Sequence, residues 1–209
     1  MKKFIGITQR LIEHTQYLEI REALALDWGA FFCEKISEDF LPLALSSKID
    51  FKDYIPYLSG VILSGGNDLN SLNPNKLSLF RDAYEKNILK LCLQNHIPVL
   101  GVCRGAQMIA EFFCAKITPI MQHTSPHLIS FQSQNYKVNS YHNYGISELC
   151  GDFEVLGIAI DGSIEAFKHK NKPIYGIMWH LEREENLSIP SQKMWKMFIE
   201  NFKEKKCVF

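Results

Sequence analysis

The residues of this chain best suited to chemistry lie in two distant segments. Cys103 stands in Ile97-Pro98-Val99-Leu100-Gly101-Val102-Cys103-Arg104-Gly105-Ala106-Gln107, an apolar strand pattern followed by Gly-x-Cys-x-Gly and a helical pattern. That is the form of a nucleophile elbow: a sharp strand-to-helix turn holds the reactive side chain on strained backbone, and Gly101 and Gly105 leave room for strand and helix to approach. The start of the following helix offers unpaired amides and the positive end of its dipole, which favour a thiolate. A buried cysteine in a glycine-flanked turn would show the same five residues, so partners must decide. They come from Ile174-Tyr175-Gly176-Ile177-Met178-Trp179-His180-Leu181-Glu182, an apolar strand ending in a His-x-Glu pair. In extended chain His180 and Glu182 share a face, so Glu182 can take one imidazole nitrogen while the other faces a nucleophile. Thiol, imidazole and carboxylate together are the equipment of covalent acyl transfer. The reaction also needs donors for its oxyanion. Gly60-Val61-Ile62-Leu63-Ser64-Gly65-Gly66-Asn67-Asp68 runs a strand into a glycine turn, and the amides of Gly66 and of Arg104, next after the nucleophile, can supply that pair.

These residues require elements to carry them. Near-continuous apolar runs at Phe4 to Thr8, Leu41 to Leu45, Gly60 to Leu63 and Pro98 to Val102 predict buried parallel strands. Leu79 to Gln94 predicts a helix with Leu79, Phe80, Ala83, Tyr84, Ile88, Leu91 and Cys92 on its apolar stripe, and a second helix is expected from Arg104 to Cys114. After residue 115 the strand-like pieces come closer together, at Lys116 to Ile120, Leu128 to Phe131, Phe153 to Ile160, Ile164 to Lys168 and Ile174 to Met178, which predicts a partly antiparallel half. A last helix, Ser191 to Phe202, carries Met194, Trp195, Phe198, Ile199 and Phe202 on one stripe. The expected fold is a single α/β domain over residues 1–209, a Rossmann-like three-layer sandwich with a central mixed, mainly parallel sheet and its site at the carboxyl ends of the strands.

In this order, the blocks resemble class I glutamine amidotransferase domains, and above all their γ-glutamyl hydrolase branch. The matching pieces are Ser64-Gly65-Gly66, Cys103 with Gln107 four residues on, Ser140-Tyr141-His142, and His180-Leu181-Glu182. The resemblance implies a Cys103–His180–Glu182 triad that cleaves the amide at the γ-carboxyl of a glutamyl group through a thioester. It also implies that Gly65, Gln107 and the backbone around Ser140 and Tyr141 hold the glutamyl group. The substrate is then a small γ-glutamyl molecule, and the likeness extends to members with a nucleotide-linked leaving group. Leu181 departs from the proline usual between His and Glu. Arg104 differs from the leucine that follows the nucleophile in ammonia-producing subunits, and so favours a stand-alone hydrolase. The competing readings are a glutaminase subunit that passes ammonia to a separate synthase, and a non-catalytic binding module.

Composition narrows the remaining classes. Lys plus Arg and Asp plus Glu each total 23, so no net charge draws the chain to nucleic acid or an acidic membrane. No run approaches the roughly 18 apolar residues of a spanning helix, and Met1-Lys2-Lys3-Phe4-Ile5-Gly6-Ile7 reads as a first strand rather than a signal peptide. Six scattered cysteines without a Cys-x-x-Cys pair read as reduced thiols in a cytoplasmic protein, with Cys114 expected in the core and Cys207 one residue off the position for prenylation. No phosphate-binding or dinucleotide fingerprint occurs, so no cofactor is expected. His123 and His127 have the spacing of helical metal ligands, but Pro126 breaks such a helix and no cysteine or carboxylate stands beside them in sequence, so no metal is expected.

Overall fold

Parallel strands buried on both faces need helices above and below them, and the chain alternates accordingly through its first half. The computed structural model describes residues 3–14, 16–36 and 40–202; Cys207 lies outside these. It begins with β1 (Lys3–Thr8), the hairpin strands β2 (Arg10–His14) and β3 (Glu19–Ala23), and α1 (Leu26–Ala30). There follow β4 (Phe40–Leu45), α2 (Phe51–Tyr54), β5 (Leu58–Leu63), α3 (Lys76–Asn95), β6 (Val99–Val102) and α4 (Arg104–Phe112). The second half holds β7 (Lys116–Pro119), β8 (His127–Phe131), β9 (Gln134–Val138), β10 (Tyr144–Glu148), β11 (Phe153–Ala159), β12 (Ile164–His169), β13 (Ile174–Ile177) and α5 (Ile189–Ile199).

The main sheet runs β4-β1-β5-β6-β13-β12-β11-β8-β9, with β10 and β7 branching from β12. From β4 to β13 every pairing is parallel; from β13 onward every pairing is antiparallel. One apolar cluster, with Trp28, Phe31, Trp195 and Phe198, packs α1 and α5 on one face. The other, with Phe51, Ile88, Leu89, Met108 and Ile109, packs α2, α3 and α4 on the opposite face. A mixed sheet between helices, parallel where the first-half strands lie and antiparallel beyond them, is thus as the sequence predicts.

Register turns this sheet into a site. Leu63 pairs with Gly101 and Gly101 with Gly176, so β5, β6 and β13 end side by side. The segments leaving their carboxyl ends, which begin at Ser64, Cys103 and Met178, therefore emerge together.

Several sequence expectations need correction. Leu79 and Phe80 are exposed, as is Ala83, while Arg81, Asp82 and Glu85 face inward. The inward face of the first half of α3 meets charged partners rather than the apolar core. Cys114 is exposed, because α4 stops at Phe112 and the chain turns through a positive φ of 61° at this cysteine. The sequence does not mark the β2–β3 hairpin, because Leu11 is the one buried residue among its described residues and almost no apolar alternation results. β9 and β10 were missed as well.

Candidate active site

Cys103 sits between β6 and α4 with φ 52° and ψ −110°, backbone angles that a residue with a side chain rarely adopts. Its amide donates to Ile177 O at 2.8 Å, and its carbonyl accepts from the amides of Ala106 and Gln107, so both neighbours hold the strained turn. The two flanking glycines are sterically required. A Cβ on Gly101 would come within 2.5 Å of Gly105 O, and one on Gly105 within 1.9 Å of Leu63 O.

His180 follows β13 in extended conformation, and its Nδ1 lies 2.6 Å from Glu182 Oε1. The pairing does not come from strand alternation as expected. Leu181 to Arg183 form a 3-10 turn, which folds Glu182 back onto the ring. Leu181 itself is fully buried in the core. The far side of the imidazole meets Gly65 and the nucleophile: a Cβ on Gly65 would lie 2.9 Å from His180 Cε1, 3.6 Å from its Nε2 and 3.7 Å from Cys103 Cβ. Burial opposes the imidazolium, but hydrogen bonding to Cys103 and Glu182 outweighs it and pushes His180 up to about 9. A proton is therefore held between a thiol and a carboxylate, as an acid for a departing nitrogen requires.

The glycine turn is aimed by a buried arginine. Arg81 donates to Ser64 O at 2.8 Å and to Gly65 O at 3.1 Å. In a trans peptide N–H and C=O point opposite ways, so the Gly66 amide points away from Arg81. Gly66 has φ 126°, and a Cβ there would meet Arg81 Nη1 at 2.7 Å. The Arg104 amide belongs to the first turn of α4, where amides have no acceptor within the helix. Its side chain does something the sequence did not reveal: it is buried and pairs with Asp82 and Glu85, while Glu85 also accepts from Arg81 Nε at 2.9 Å. Burial and the neighbouring Arg104 lower Arg81 to about 10, and both arginines hold Glu85 ionised against the cost of burial. Two cations and two anions thus join α3, the glycine turn and the nucleophile elbow. The signal was an Arg-x-x-x-Glu pair in register with Ile88 and Leu89 on the buried side of a predicted helix.

The fourth expected segment runs past the imidazole. Asn139, also missed, clamps the His180 backbone: its Oδ1 accepts from His180 N and its Nδ2 donates to His180 O, each at 2.9 Å. Tyr141 places its ring edge-on to His180, with centroids 5.6 Å apart. Ser140 is buried with its hydroxyl on His123 O, and Gln107, one turn along α4 from Cys103, donates to Tyr144 O at 2.9 Å. All nine expected site residues thus belong to segments that meet around the end of the sheet.

The sequence profile of the glutamine amidotransferase class-I family matches residues 50–197. The γ-glutamyl-CDP-amidate hydrolase of Campylobacter jejuni is 50% identical over 197 residues, which cover 94% of this chain and 98% of that protein. Among solved structures, a candidate GMP synthase component from Thermoplasma acidophilum superposes with a TM-score of 0.71 at 21% identity, over 96% of this chain and 94% of that one. A glutamine amidotransferase from Thermotoga maritima gives 0.64 at 15% identity, over 97% and 91%. At these identities the solved structures speak for the fold alone.

Proposed function

The chain belongs to the class-I glutamine amidotransferase family, and from that premise we propose that it is a cysteine-dependent hydrolase of a γ-glutamyl amide whose leaving group is a nucleotide-linked phosphoramidate. Residues 1–209 act as one catalytic domain in the cytoplasm. The Cys103 thiolate attacks the γ-carbonyl, and the amides of Gly66 and Arg104 hold the oxyanion. The imidazolium of His180 protonates the departing nitrogen as the C–N bond breaks, leaving a γ-glutamyl thioester. Neutral His180 then takes a proton from water, whose oxygen attacks the thioester and releases glutamate and the thiolate. Glu182 orients the ring and balances its charge in both half-reactions, while Gly65, Gln107 and the Ser140–Tyr141 backbone hold the glutamyl group.

The observation that carries this reading is the ring of His180, held by Glu182 on one side and set against Gly65 and Cys103 on the other. The leaving group rests on the 50% identity to the Campylobacter jejuni enzyme over nearly both whole chains. A cavity of about 360 Å³ between the β2–β3 hairpin and the start of α3 supports it. Leu11, Lys48, Lys76 and Phe80 line this cavity together with Glu22, and the two lysines offer cations for a diphosphate, with Lys48 lying over the Phe80 ring. Asn67, two residues beyond Gly65, ties Leu11 to the oxyanion turn through both backbone groups.

The test is glutamate release from γ-glutamyl-CDP-amidate and from glutamine by the purified chain, beside Cys103→Ala. Turnover of the conjugate well above that of glutamine, lost in the variant by a factor of about 10³ or more, is the expected result. Release from glutamine only when a synthase is added would overturn it in favour of an ammonia-delivering partner protein.

A further inference from the structure

A second group of buried side chains, beyond the triad, has no role in this reaction. His123 and His127, from the start of β8 and the loop before it, meet Glu165 of β12 and His142 of the segment that passes His180. The carboxylate that the local sequence did not place beside the histidines comes from β12. Glu165 is completely buried, and His123 and His142 are 5% and 4% exposed. On a single oxygen, Glu165 Oε1, converge His123 Nδ1 at 3.2 Å, His127 Nε2 at 3.6 Å and His142 Nε2 at 3.6 Å. Among the described residues none of these four atoms has a hydrogen-bond partner, nor has Glu165 Oε2 or the outer nitrogen of His127, Nδ1.

The outer nitrogens explain why. His142 Nδ1 lies 3.1 Å from Tyr144 O, an atom that can only accept, so Nδ1 carries the hydrogen and neutral Nε2 presents a lone pair to Glu165. His123 Nε2 lies 3.1 Å from Asp161 Oδ2, so in the neutral ring its hydrogen points outward and the Nδ1 lone pair inward, while hydrogen bonding to Glu165 and the charges of Glu165 and Asp161 raise its pKa and favour the imidazolium. Asp161 is itself held by the amide and hydroxyl of Ser163. Lone pairs facing a buried carboxylate repel unless a positive charge stands between them, from a metal ion or from the proton of an imidazolium. A tetrahedral zinc with bonds of about 2.0–2.1 Å has ligand-to-ligand edges of about 3.4 Å, close to the separations of Glu165 Oε1 from His123 Nδ1 and His127 Nε2, and one ligand atom from each of these three residues lies within 4.8 Å of the other two. Histidines whose other ring nitrogen is tied to a carboxylate and a backbone carbonyl are oriented as metal-bound histidines are.

We propose that His123, His127 and Glu165, with His142 beside them, form a structural site for a divalent cation of the zinc class. Two imidazoles and one carboxylate suit zinc, with His142 or a water to complete the tetrahedron. Asp161 behind His123 and Glu165 together balance the ion's two charges. The site holds the substrate segment at the catalytic imidazole. The amide of His142 and the hydroxyl of Ser140 both bond His123 O, so fixing His123 and His142 fixes Ser140 and Tyr141 between them. The ion therefore acts on glutamyl binding and on stability, with the triad chemistry left to Cys103.

The experiment uses the untagged chain, purified without chelators. Elemental analysis should find about one zinc per chain, and removing it with a chelator should lower the melting temperature, which added Zn²⁺ restores. Co²⁺ added to the metal-free protein should give the visible bands of a tetrahedral nitrogen and oxygen site without a sulfur charge-transfer band. His127→Ala should lose the zinc, whereas Cys103→Ala should keep it. A metal-free protein as purified, whose melting temperature and absorption do not respond to Zn²⁺ or Co²⁺, would overturn the proposal. So would a sulfur charge-transfer band, or zinc lost in Cys103→Ala, since either puts the metal on the thiol. The cobalt spectrum of the parent chain decides the matter even if His127→Ala fails to fold.

Discussion

Two buried clusters of ionisable side chains flank the triad, and they differ in how their charges are met. In the first, Arg81, Asp82, Glu85 and Arg104 pair two cations with two anions, and Arg81 spends its remaining donors on Ser64 O and Gly65 O. In the second, His123, His127, His142 and Glu165 turn unpartnered atoms toward one another. The first meets its charges with protein groups alone, leaving Arg104 Nε without a hydrogen-bond partner among the described residues, and sits under the oxyanion turn. The second, in the zinc proposal, takes its central charge from a bound cation and sits beside the substrate segment. A buried charge is tolerable when partners repay its desolvation. The contrast shows which of the two the chain balances by itself.

The largest effect should follow from unbalancing the first cluster. Glu85→Gln keeps the shape of the side chain but leaves two buried arginines with Asp82 alone. Removing one partner of a buried ion pair costs about 3–5 kcal/mol, and urea denaturation should show a loss of that size. A loss below about 1 kcal/mol would mean that water or a rearranged Asp82 takes over, and would erase the distinction between the clusters.

Between the clusters, the His180–Glu182 pair titrates in an accessible range, which sharpens the comparison. Its folded value of about 9 lies above the ordinary 6.5. The contribution to stability is therefore full below pH 6.5 and fades as pH rises through 9. The acid for the leaving nitrogen disappears over the same limb. kcat/KM should fall about tenfold per pH unit above 9, and His180→Gln should flatten the stability profile between pH 6.5 and 9. An alkaline limb centred near 6.5 would show that the thiol and Glu182 do not hold the imidazolium.

The same contrast explains what could be read in the sequence. The parallel half was legible because β5 and β6 are buried on both faces and so appear as unbroken apolar runs. The elbow was legible because backbone at φ 52° and contacts as close as 1.9 Å at Gly105 leave few residue choices. The charged clusters were not. Arg81, Asp82 and Glu85 look like a solvated helix face until Arg104, from the next helix, meets them. Glu165 stands 38 residues from His127 along the chain, so only the antiparallel return of β12 brings them together. Asn139 acts through backbone atoms of His180, a role with no signature in local pattern.

The smallest effect should come from the departure inside the His-x-Glu motif. Leu181 opens the 3-10 turn, whose bonds run from Arg183 N to His180 O and from Glu184 N to Leu181 O. The Leu181 amide is thus at a position where proline forfeits nothing. His180, at φ −109° and ψ 96°, already has the extended backbone that a residue before proline favours. What Leu181→Pro does remove is part of a completely buried side chain, worth about 1 kcal/mol for one methylene equivalent and its contacts. Turnover should stay close to that of the parent, with a correspondingly small drop in stability. A fall in kcat beyond about tenfold, the scale expected from a misplaced catalytic group, would instead show that the leucine packing itself orients His180. That result would place the motif's register in the core beneath the turn rather than in the turn's own hydrogen bonds.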